Sequence, residues 1–356
     1  MEQKSVLIGM SGGVDSSVAA ALLKEQGYHV IGATMRLWTY SDNCNMKHEG
    51  CCAESAVEDA RRVCDKLGID FYVMNFKDMF KDKDVDYFVD EYIHGRTPNP
   101  CIACNKYLKF DALLKKALAM GIDYVATGHY AKIEKGEDGK YILRASEAVK
   151  KDQSYVLYNF TQEQLAHTLM PLGGYNKDWV RQKAEELGLG VAHKPDSQEI
   201  CFVEDDDYAK FITDYSGYKP KEGDILDVNG NVIGKHRGLI YYTIGQRKGI
   251  GAYGRPMFVM KIDAENNTIT LGEKGMEFSN ELTAYDVNFV SGEFPKENML
   301  ITAKVRYQAP PAAAMLCPQK DGTVKLMFPE PQRAVTPGQA VVFYDGDIVL
   351  GGGTVL

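Results

Sequence analysis

No run of eighteen or more apolar residues occurs in this chain, which excludes a spanning helix of ordinary length. A surplus of positive charge is also missing. Lys and Arg number 41 against 49 Asp and Glu, a formal net charge of −8. That argues against bulk nucleic-acid binding by net charge, although local Lys/Arg patches still decide affinity for phosphates. Internal repeats and low-complexity tracts are absent. The polar stretch Met1 to Ser5 leaves no room for a signal peptide before the first apolar run, so the expected location is the cytoplasm, with no membrane partner. In that reducing setting the 8 cysteines are not read as a disulfide framework.

What is present is ordinary in bulk and specific in detail. The 356 residues suggest two or three domains, and 45% hydrophobic with 25% charged residues fits a soluble globular protein. The apolar run Val6 to Met10 leads into Ser11-Gly12-Gly13-Val14-Asp15-Ser16-Ser17, and Val18 to Leu23 follows. This reads as strand, tight glycine turn and helix. Adjacent glycines admit positive φ and let a ligand approach the backbone. The helix N-terminus offers unpaired N–H groups to an anion. No Lys-Ser/Thr pair closes the turn, so it is not the Walker loop. It resembles instead the pyrophosphatase-type loop of adenylating enzymes, which cut ATP between its α and β phosphates.

Strand and helix signals alternate through the first two hundred residues: strands at 29–35, 71–75 and 124–127, helices at 53–67, around 80–92 and at 110–120, and an extended, proline-rich loop at 96–101. Short helices are read at 162–169 and 177–187. Such alternation implies a doubly wound parallel sheet, α/β in class, with ligands at the carboxyl ends of its strands. One more helix is read at 205–215. Beyond it come short β-like runs, including 224–228, 241–244, 257–262 and 268–271. From about 281 they continue as Leu282–Phe289, Ile301–Tyr307, Thr323–Phe328, Ala340–Tyr344 and Ile348–Leu350, with a hairpin turn at Asp345-Gly346. The expected domains are 1–203 for ATP binding and catalysis, a small β-rich middle domain at 204–279, and an antiparallel β-barrel at 280–356.

The cysteines divide by setting. Cys64 in a helix and Cys317 in a strand-rich region read as small hydrophobes. Cys44, Cys51 and Cys52 cluster in a polar loop, with no further spaced ligand pair to complete a zinc site. Cys101 and Cys104 form C-x-x-C after Asn99-Pro100, and Cys201 lies in Asp196-Ser197-Gln198-Glu199-Ile200-Cys201-Phe202.

The strings GMSGGVDSSV, GATMRLW, RTPNPC-x-x-CNKYLKFDAL, ATGHYA, KDQSYVLYNF, HKPDSQEICFV, YTIGQRKGIG, KVRYQAPP and AVTPGQAVVFYDGDIVLGGG run from end to end of the chain. Together they resemble the bacterial tRNA-specific 2-thiouridylase family, whose members thiolate the wobble uridine of Lys, Glu and Gln tRNAs. The resemblance implies ATP with Mg²⁺ held by Gly9, Met10, Ser11, Gly12, Gly13, Val14, Asp15, Ser16, Ser17, Met35 and Gly128. It implies tRNA contacts at Asn99, Pro100, Cys101, His129, Lys151, Asp152, Gln153, Arg306, Tyr307 and Gln339. It gives catalysis to Cys201, as persulfide carrier, and to Cys104, which releases the product and leaves a disulfide. Each works better as thiolate, so a partly exposed, electropositive setting is expected, with Lys106 and Lys109 as contributors. A persulfide donor protein is the implied partner, and a monomer the expected state.

One position departs from the family's usual pattern. Cys101 stands where Asp is common, so that carboxylate's acid–base role does not carry over. Three thiolates at Cys101, Cys104 and Cys201 would suit a [4Fe-4S] cluster with one open iron. The plainer readings are a neutral variant or a spare resolving thiol. Two other functions use part of this inventory. An argininosuccinate- or GMP-synthetase type of enzyme shares the glycine loop without needing Cys104 and Cys201. A redox or metal-sensing protein would use the cysteines without the loop.

Overall fold

The computed structural model describes residues 3–38, 54–196, 200–203 and 207–356. Cys44, Cys51 and Cys52 lie outside the described residues, as do Ser197, Gln198 and Glu199 of the Cys201 string.

The N-terminal layer is a parallel sheet. Strand β1 (Ser5–Gly9) is followed by helix α1 (Val14–Glu25), β2 (His29–Arg36), α2 (Glu54–Leu67) and β3 (Asp70–Asn75). Later strands β4 (Tyr124–Ala126) and β7 (Thr168–Leu169) complete the order β3-β2-β1-β4-β7. Successive side chains of β1 point to opposite faces. Val6 and Ile8 pack under α1 with Val180 and Ala184 of the helix Lys177–Glu186, whereas Leu7 packs on the other face with Phe88, Leu108 and Leu113. Both faces are covered, which is why β1 reads as a continuous apolar run. Because β2 lies on one side of β1 and β4 on the other, the order reverses between β1 and β4. That switch point is where doubly wound sheets open a ligand crevice.

The covering layer below is built differently from its sequence-level reading. The prolines predict an extended loop over 96–101, but helix starts at Pro100, which fits the first helical position because it lacks only an N–H that would be unpaired there. From there the chain stays helical to Ala119, through a π-helical stretch, Cys104–Ala112. A second π-helical turn, Lys81–Val85, interrupts the preceding helices Lys77–Phe80 and Asp86–Ile93.

A hairpin of β5 (Ala131–Lys135) and β6 (Tyr141–Ala145) has no counterpart in the sequence reading. It leaves the parallel sheet and joins the C-terminal one, where β6 pairs with the last strand of the chain. The middle region holds β8 (Gly223–Leu226), β9 (Val232–His236), β10 (Met257–Asp263) and β11 (Thr268–Glu273) in the order β10-β11-β8-β9. The run at 241–244, expected as strand, instead follows a 3₁₀ turn at Leu239–Tyr241, with Tyr242 and Ile244 filling the core of that region.

The C-terminal strands are β12 (Phe278–Phe289), β13 (Met299–Lys304), β14 (Ala312–Pro318), β15 (Val324–Arg333), β16 (Ala340–Asp345) and β17 (Ile348–Val355). They run β12-β15-β14-β13-β16-β17, and β12 pairs again with β17, closing an antiparallel barrel of six strands. Closure removes the exposed edges. The Asp345-Gly346 turn joins β16 to β17 as expected, with Gly346 at φ 60°.

Candidate active site

The phosphate end of the site sits at the β1/β4 switch point. Gly13 is the N-cap of α1 and has an extended backbone, with no side chain capping the helix, so its first N–H groups point into the crevice uncapped by side chains. The loop is braced from within. The Ser17 hydroxyl donates to the Gly13 carbonyl at 2.8 Å, and the Ser11 N–H donates to Ser16 Oγ at 3.2 Å. Two glycines are required by space. Gly12 has φ 70°, and a Cβ there would stand 2.3 Å from the Ala56 carbonyl oxygen of α2. A Cβ on Gly128, just beyond β4, would meet the Ser16 nitrogen at 2.7 Å. Both hold the crevice walls closer than any side chain permits.

Charge gathers around this loop from distant parts of the chain. Lys177 Nζ donates to both oxygens of Asp15 at 2.8 Å and pairs with Asp196 at 2.6 Å. Asp196 also takes Lys151 at 2.7 Å and Arg181 at 3.3 Å. Partial burial works against the Asp196 carboxylate, but the ammonium groups of Lys151 and Lys177 hold it below the usual carboxylate range. Lys194 Nζ donates to the Gly12 carbonyl at 3.1 Å and to Asp59 at 2.9 Å. The Tyr130 hydroxyl donates to Asp15 at 2.7 Å; burial and that carboxylate push its phenol upward. This cradle suits a nucleotide polyphosphate: uncapped N–H groups and lysines for the phosphates, and Asp15 with Asp196 as the carboxylates that would offer oxygens to a divalent cation. Lys177, Lys194, Asp196 and Tyr130 were not among the site residues read from sequence. Lys194 and Asp196 lie in the HKPDSQE string, whereas Lys177 opens an unremarkable helix and carries no signal.

The thiol end is apolar. Cys104 is buried and Cys201 half-buried, and both belong to one cluster with Leu7, Phe88, Leu108 and Phe202. The Phe202 ring lies 5.6 Å from Phe80, 5.2 Å from Phe88 and 5.2 Å from Phe211, which anchors the turn that carries Cys201. The part-exposed setting expected of both thiols is met by Cys201 and not by Cys104. Lys106 is paired with Asp286 of the barrel at 2.7 Å. Cys64 is buried between sheet and helices, and burial pushes its thiol to about 12, as befits a structural residue.

A cluster does not fit this arrangement. Cys101 is exposed while Cys104 is buried, and among the described residues no group of three or more His, Cys, Asp or Glu side chains is placed to hold a metal ion. The two thiols are near neighbours along the helix, but one stands in solvent and the other in the apolar cluster.

Most of the expected RNA contacts have work inside the protein. Gln339 donates to the Thr97 and Pro98 carbonyls at 2.8 and 3.3 Å, clamping the loop before Asn99 and Pro100 onto the barrel. Arg306 Nη2 serves Ile244 and Ala334 carbonyls and the Thr336 hydroxyl, riveting the middle region to the barrel. Asp152 accepts from the Ser146 and Ser154 N–H groups, and Gln153 accepts from the Tyr130 N–H. His129 bonds Thr127 at 2.7 Å; burial, helped by Lys109, keeps it well below the ordinary histidine range. Tyr307 remains open, 38% exposed as a residue, and its hydroxyl donates to the Asp152 carbonyl. Lys304 lies over the Tyr155 and Tyr307 rings at 6.0 and 5.9 Å, a cation–aromatic contact that the sequence reading passed over. Met35 lies half-buried on β2, in register with Met74 of β3.

The two ends share one segment. Lys194 and Asp196 bind around the phosphate loop, and Cys201 lies five residues past Asp196, within about 17 Å by chain reach.

Comparison with known proteins follows the same lines. A family model described as a tRNA methyl transferase HUP domain matches residues 4–205. One described as a tRNA methyl transferase PRC-barrel domain matches 209–273, and one described as an aminomethyltransferase beta-barrel domain matches 279–355. The chain is 59% identical to a tRNA-specific 2-thiouridylase MnmA of Acetivibrio thermocellus, over 100% of both proteins. It is 58% identical to the Clostridioides difficile protein of the same name, over 99% of this chain and 98% of that one. Among solved structures, a 4-thiouridine synthetase–RNA complex with bound ATP aligns with 56% of this chain and 45% of its own, at 18% identity and a TM-score of 0.36. Among the described residues no helix is long and apolar enough to cross a membrane.

Proposed function

The chain belongs to the tRNA-specific 2-thiouridylase family, and on that premise we propose that it is an ATP-dependent tRNA-uridine 2-sulfurtransferase acting on the wobble uridine of Lys, Glu and Gln tRNAs. One observation carries the reading. The segment from Lys194 to Phe202 reaches a phosphate cradle with its first residues and seats Cys201 in the cluster of Cys104 with its last.

The chemistry needs both ends. Uridine O2 is a poor leaving group until ATP adenylates it. The α1 N-terminus, Lys177 and Lys194 take the departing pyrophosphate. Asp15 and Asp196 would hold a Mg²⁺, which would supply further charge neutralisation. Cys201, loaded with sulfur by a persulfide donor protein, then attacks C2 through its terminal sulfur and expels AMP. The Cys104 thiolate attacks Cys201 Sγ, breaking the sulfur–sulfur bond. The 2-thiouridine leaves with the outer sulfur, and a Cys104–Cys201 disulfide remains for a cellular thiol to reduce. The apolar surroundings keep water from the activated base and the persulfide. Asn99, Pro100 and Cys101, just past the Thr97 and Pro98 carbonyls that Gln339 holds, form the rim for the flipped base, with Lys151 and Tyr307 as further contacts to the RNA. Residues 1–203 form the catalytic domain in this scheme, 204–279 the connecting domain and 280–356 the barrel that presents Tyr307. The expected setting is the reducing cytoplasm, and the expected state a monomer.

A methyl-transfer reading of the family-model descriptions has no use for paired cysteines or a pyrophosphate loop. Mass spectrometry of tRNA from a deletion strain separates the two, since thiolation exchanges oxygen for sulfur and methylation adds carbon. Loss of 2-thiouridine at the wobble position is expected, restored by the wild-type gene and not by Cys201→Ser. Undiminished 2-thiouridine in the deletion strain would overturn the assignment.

A further inference from the structure

The C-x-x-C pair presents its two thiols to different surroundings. Cys101 is exposed within the helix Pro100–Ala103, and Cys104, at the end of that helix, is buried in the apolar cluster. Cys201 is half-buried against the same cluster. Residues three apart on a helix have Cβ atoms about 5–6 Å apart, and a disulfide needs about 3.5–4.5 Å. The gap closes by a small movement of one turn. That turn is short, bounded by extended Asn99 and by π-helical backbone from Cys104 onward.

This geometry poses a problem for the reset step, and the answer rests on the function proposed above. A disulfide of Cys104 with Cys201 forms among Leu108, Phe88 and Phe202. Thiol–disulfide exchange needs direct access of the attacking sulfur; Cys104 is buried and Cys201 half-buried on the face that the sulfur donor must reach, so a folded protein dithiol has poor access to this disulfide. We propose that Cys101 is a resolving thiol that moves the buried disulfide to the surface after each turnover.

The step balances without a further oxidant or reductant. The Cys101 thiolate attacks Cys104 Sγ. The Cys101–Cys104 bond forms, the Cys104–Cys201 bond breaks, and Cys201 departs with the electron pair as a thiolate ready for the next sulfur. A protein dithiol then reduces the exposed Cys101–Cys104 disulfide by two successive exchanges and becomes a disulfide itself. Cys104 thus acts twice, once on Cys201 and once as the leaving group that frees Cys101. The half-exposed Cys201 is reset while the surface disulfide waits for its reductant, so sulfur loading and reduction use different faces.

The test uses the whole enzyme with tRNA and ATP. Enzyme preloaded with persulfide at Cys201 is separated from donor, allowed one round and quenched in acid. Remaining thiols are alkylated and the disulfide is mapped by mass spectrometry. Wild type is expected to hold Cys101–Cys104 with Cys201 alkylated, and Cys101→Ser to hold Cys104–Cys201. The oxidised proteins are then reduced either by a thioredoxin-fold dithiol protein or by dithiothreitol. Reduction of Cys101→Ser by the protein dithiol is expected to be at least tenfold slower than wild type, and the gap should close with dithiothreitol, which is small enough to reach the core. Wild type trapped only as Cys104–Cys201, with equal reduction rates for both proteins, overturns the relay and leaves the sulfurtransferase reading standing. Thiolated product with no disulfide in either protein overturns the disulfide route itself. Turnover that requires bound iron at Cys101 overturns the relay as well.

Discussion

The two ends of the site are built on opposite principles. At the phosphate end, polar groups share partners: Asp15 takes Lys177 and Tyr130, Asp196 takes Lys151, Lys177 and Arg181, and Lys194 reaches both Gly12 and Asp59. At the thiol end, Cys104 and Cys201 sit against aromatic rings whose contacts lack direction. Preorganised charge stabilises charge as it develops, with no cost of reorganisation during the reaction. Apolar packing instead excludes water and fixes position by volume. The difference teaches that adenylation and sulfur transfer should fail separately when one end is damaged.

The largest separation is expected from Phe202→Ala. Phe202 is 1% exposed and touches the rings of Phe80, Phe88, Phe211 and Trp38. Truncating a buried Phe costs about 3–5 kcal/mol, part of it the cavity left behind. Denaturant unfolding should show that loss, and persulfide loading of Cys201, read by mass spectrometry, should fall as the turn loosens. Pyrophosphate release should persist at temperatures where the variant is folded. Release failing in step with loading would show that the two ends are one unit.

Lys177→Ala is the reciprocal damage. It leaves Asp15 and Asp196 facing one another without their shared cation. Losing one preorganised donor at a site of developing charge costs on the order of 10²–10³ in rate. Pyrophosphate release should drop by that factor, while loading of Cys201 continues. Gly12→Val is the poorer probe of the same end, because its side chain would meet the α2 backbone at Ala56 before any phosphate came near.

These contrasts also explain what was legible in the sequence. The phosphate loop is seven consecutive residues with a local geometry, so strand, glycine turn and helix were readable, as was the Gly128 wall at the next strand end. The charges that complete it come from Lys177, Lys194 and Asp196, which are distant in sequence and sit at ordinary helix and loop positions. Their convergence follows from the order of strands in the sheet, which periodicity does not encode. The same holds for Cys104: its C-x-x-C spacing was visible, but its burial depends on Phe88 and Phe202 from elsewhere in the chain. The β5–β6 hairpin was missed because its side chains alternate only weakly and its pairing partner, β17, is two hundred residues away. Lys304 and Arg306 lie in the readable KVRYQAPP string, yet only the structure turns one onto two aromatic rings and the other into the domain junction. Cys101 marked itself as a departure in sequence, and its exposure against the burial of Cys104 became visible only with the helix in place.

The substitution that changes the shape least tests whether the thiol end is as dry as its neighbours suggest. Asp84 lies in the π-helical turn Lys81–Val85, next to the core residues Val85 and Phe80, and is 1% exposed. Its Oδ1 has no hydrogen-bond partner among the described residues. Burial raises its carboxyl from 3.8 to about 8, against a smaller opposing pull from Lys109, which also bears on His129. The folded protein therefore holds the Asp84 proton more tightly than the unfolded chain does. That contribution is complete below about pH 4 and is lost as pH rises through about 8. Each pKa unit realised is worth about 1.4 kcal/mol. Asp84→Asn keeps the shape and removes the titration, so its stability relative to wild type should improve steadily between pH 5 and pH 8 and level off above. Urea unfolding of both proteins at those pH values gives the comparison. Lys109 and His129 stay in place in the variant, so a change in slope reports Asp84 alone. A difference that stays constant across the range would mean that water reaches Asp84, and that the apolar side of the site is wetter than its packing implies.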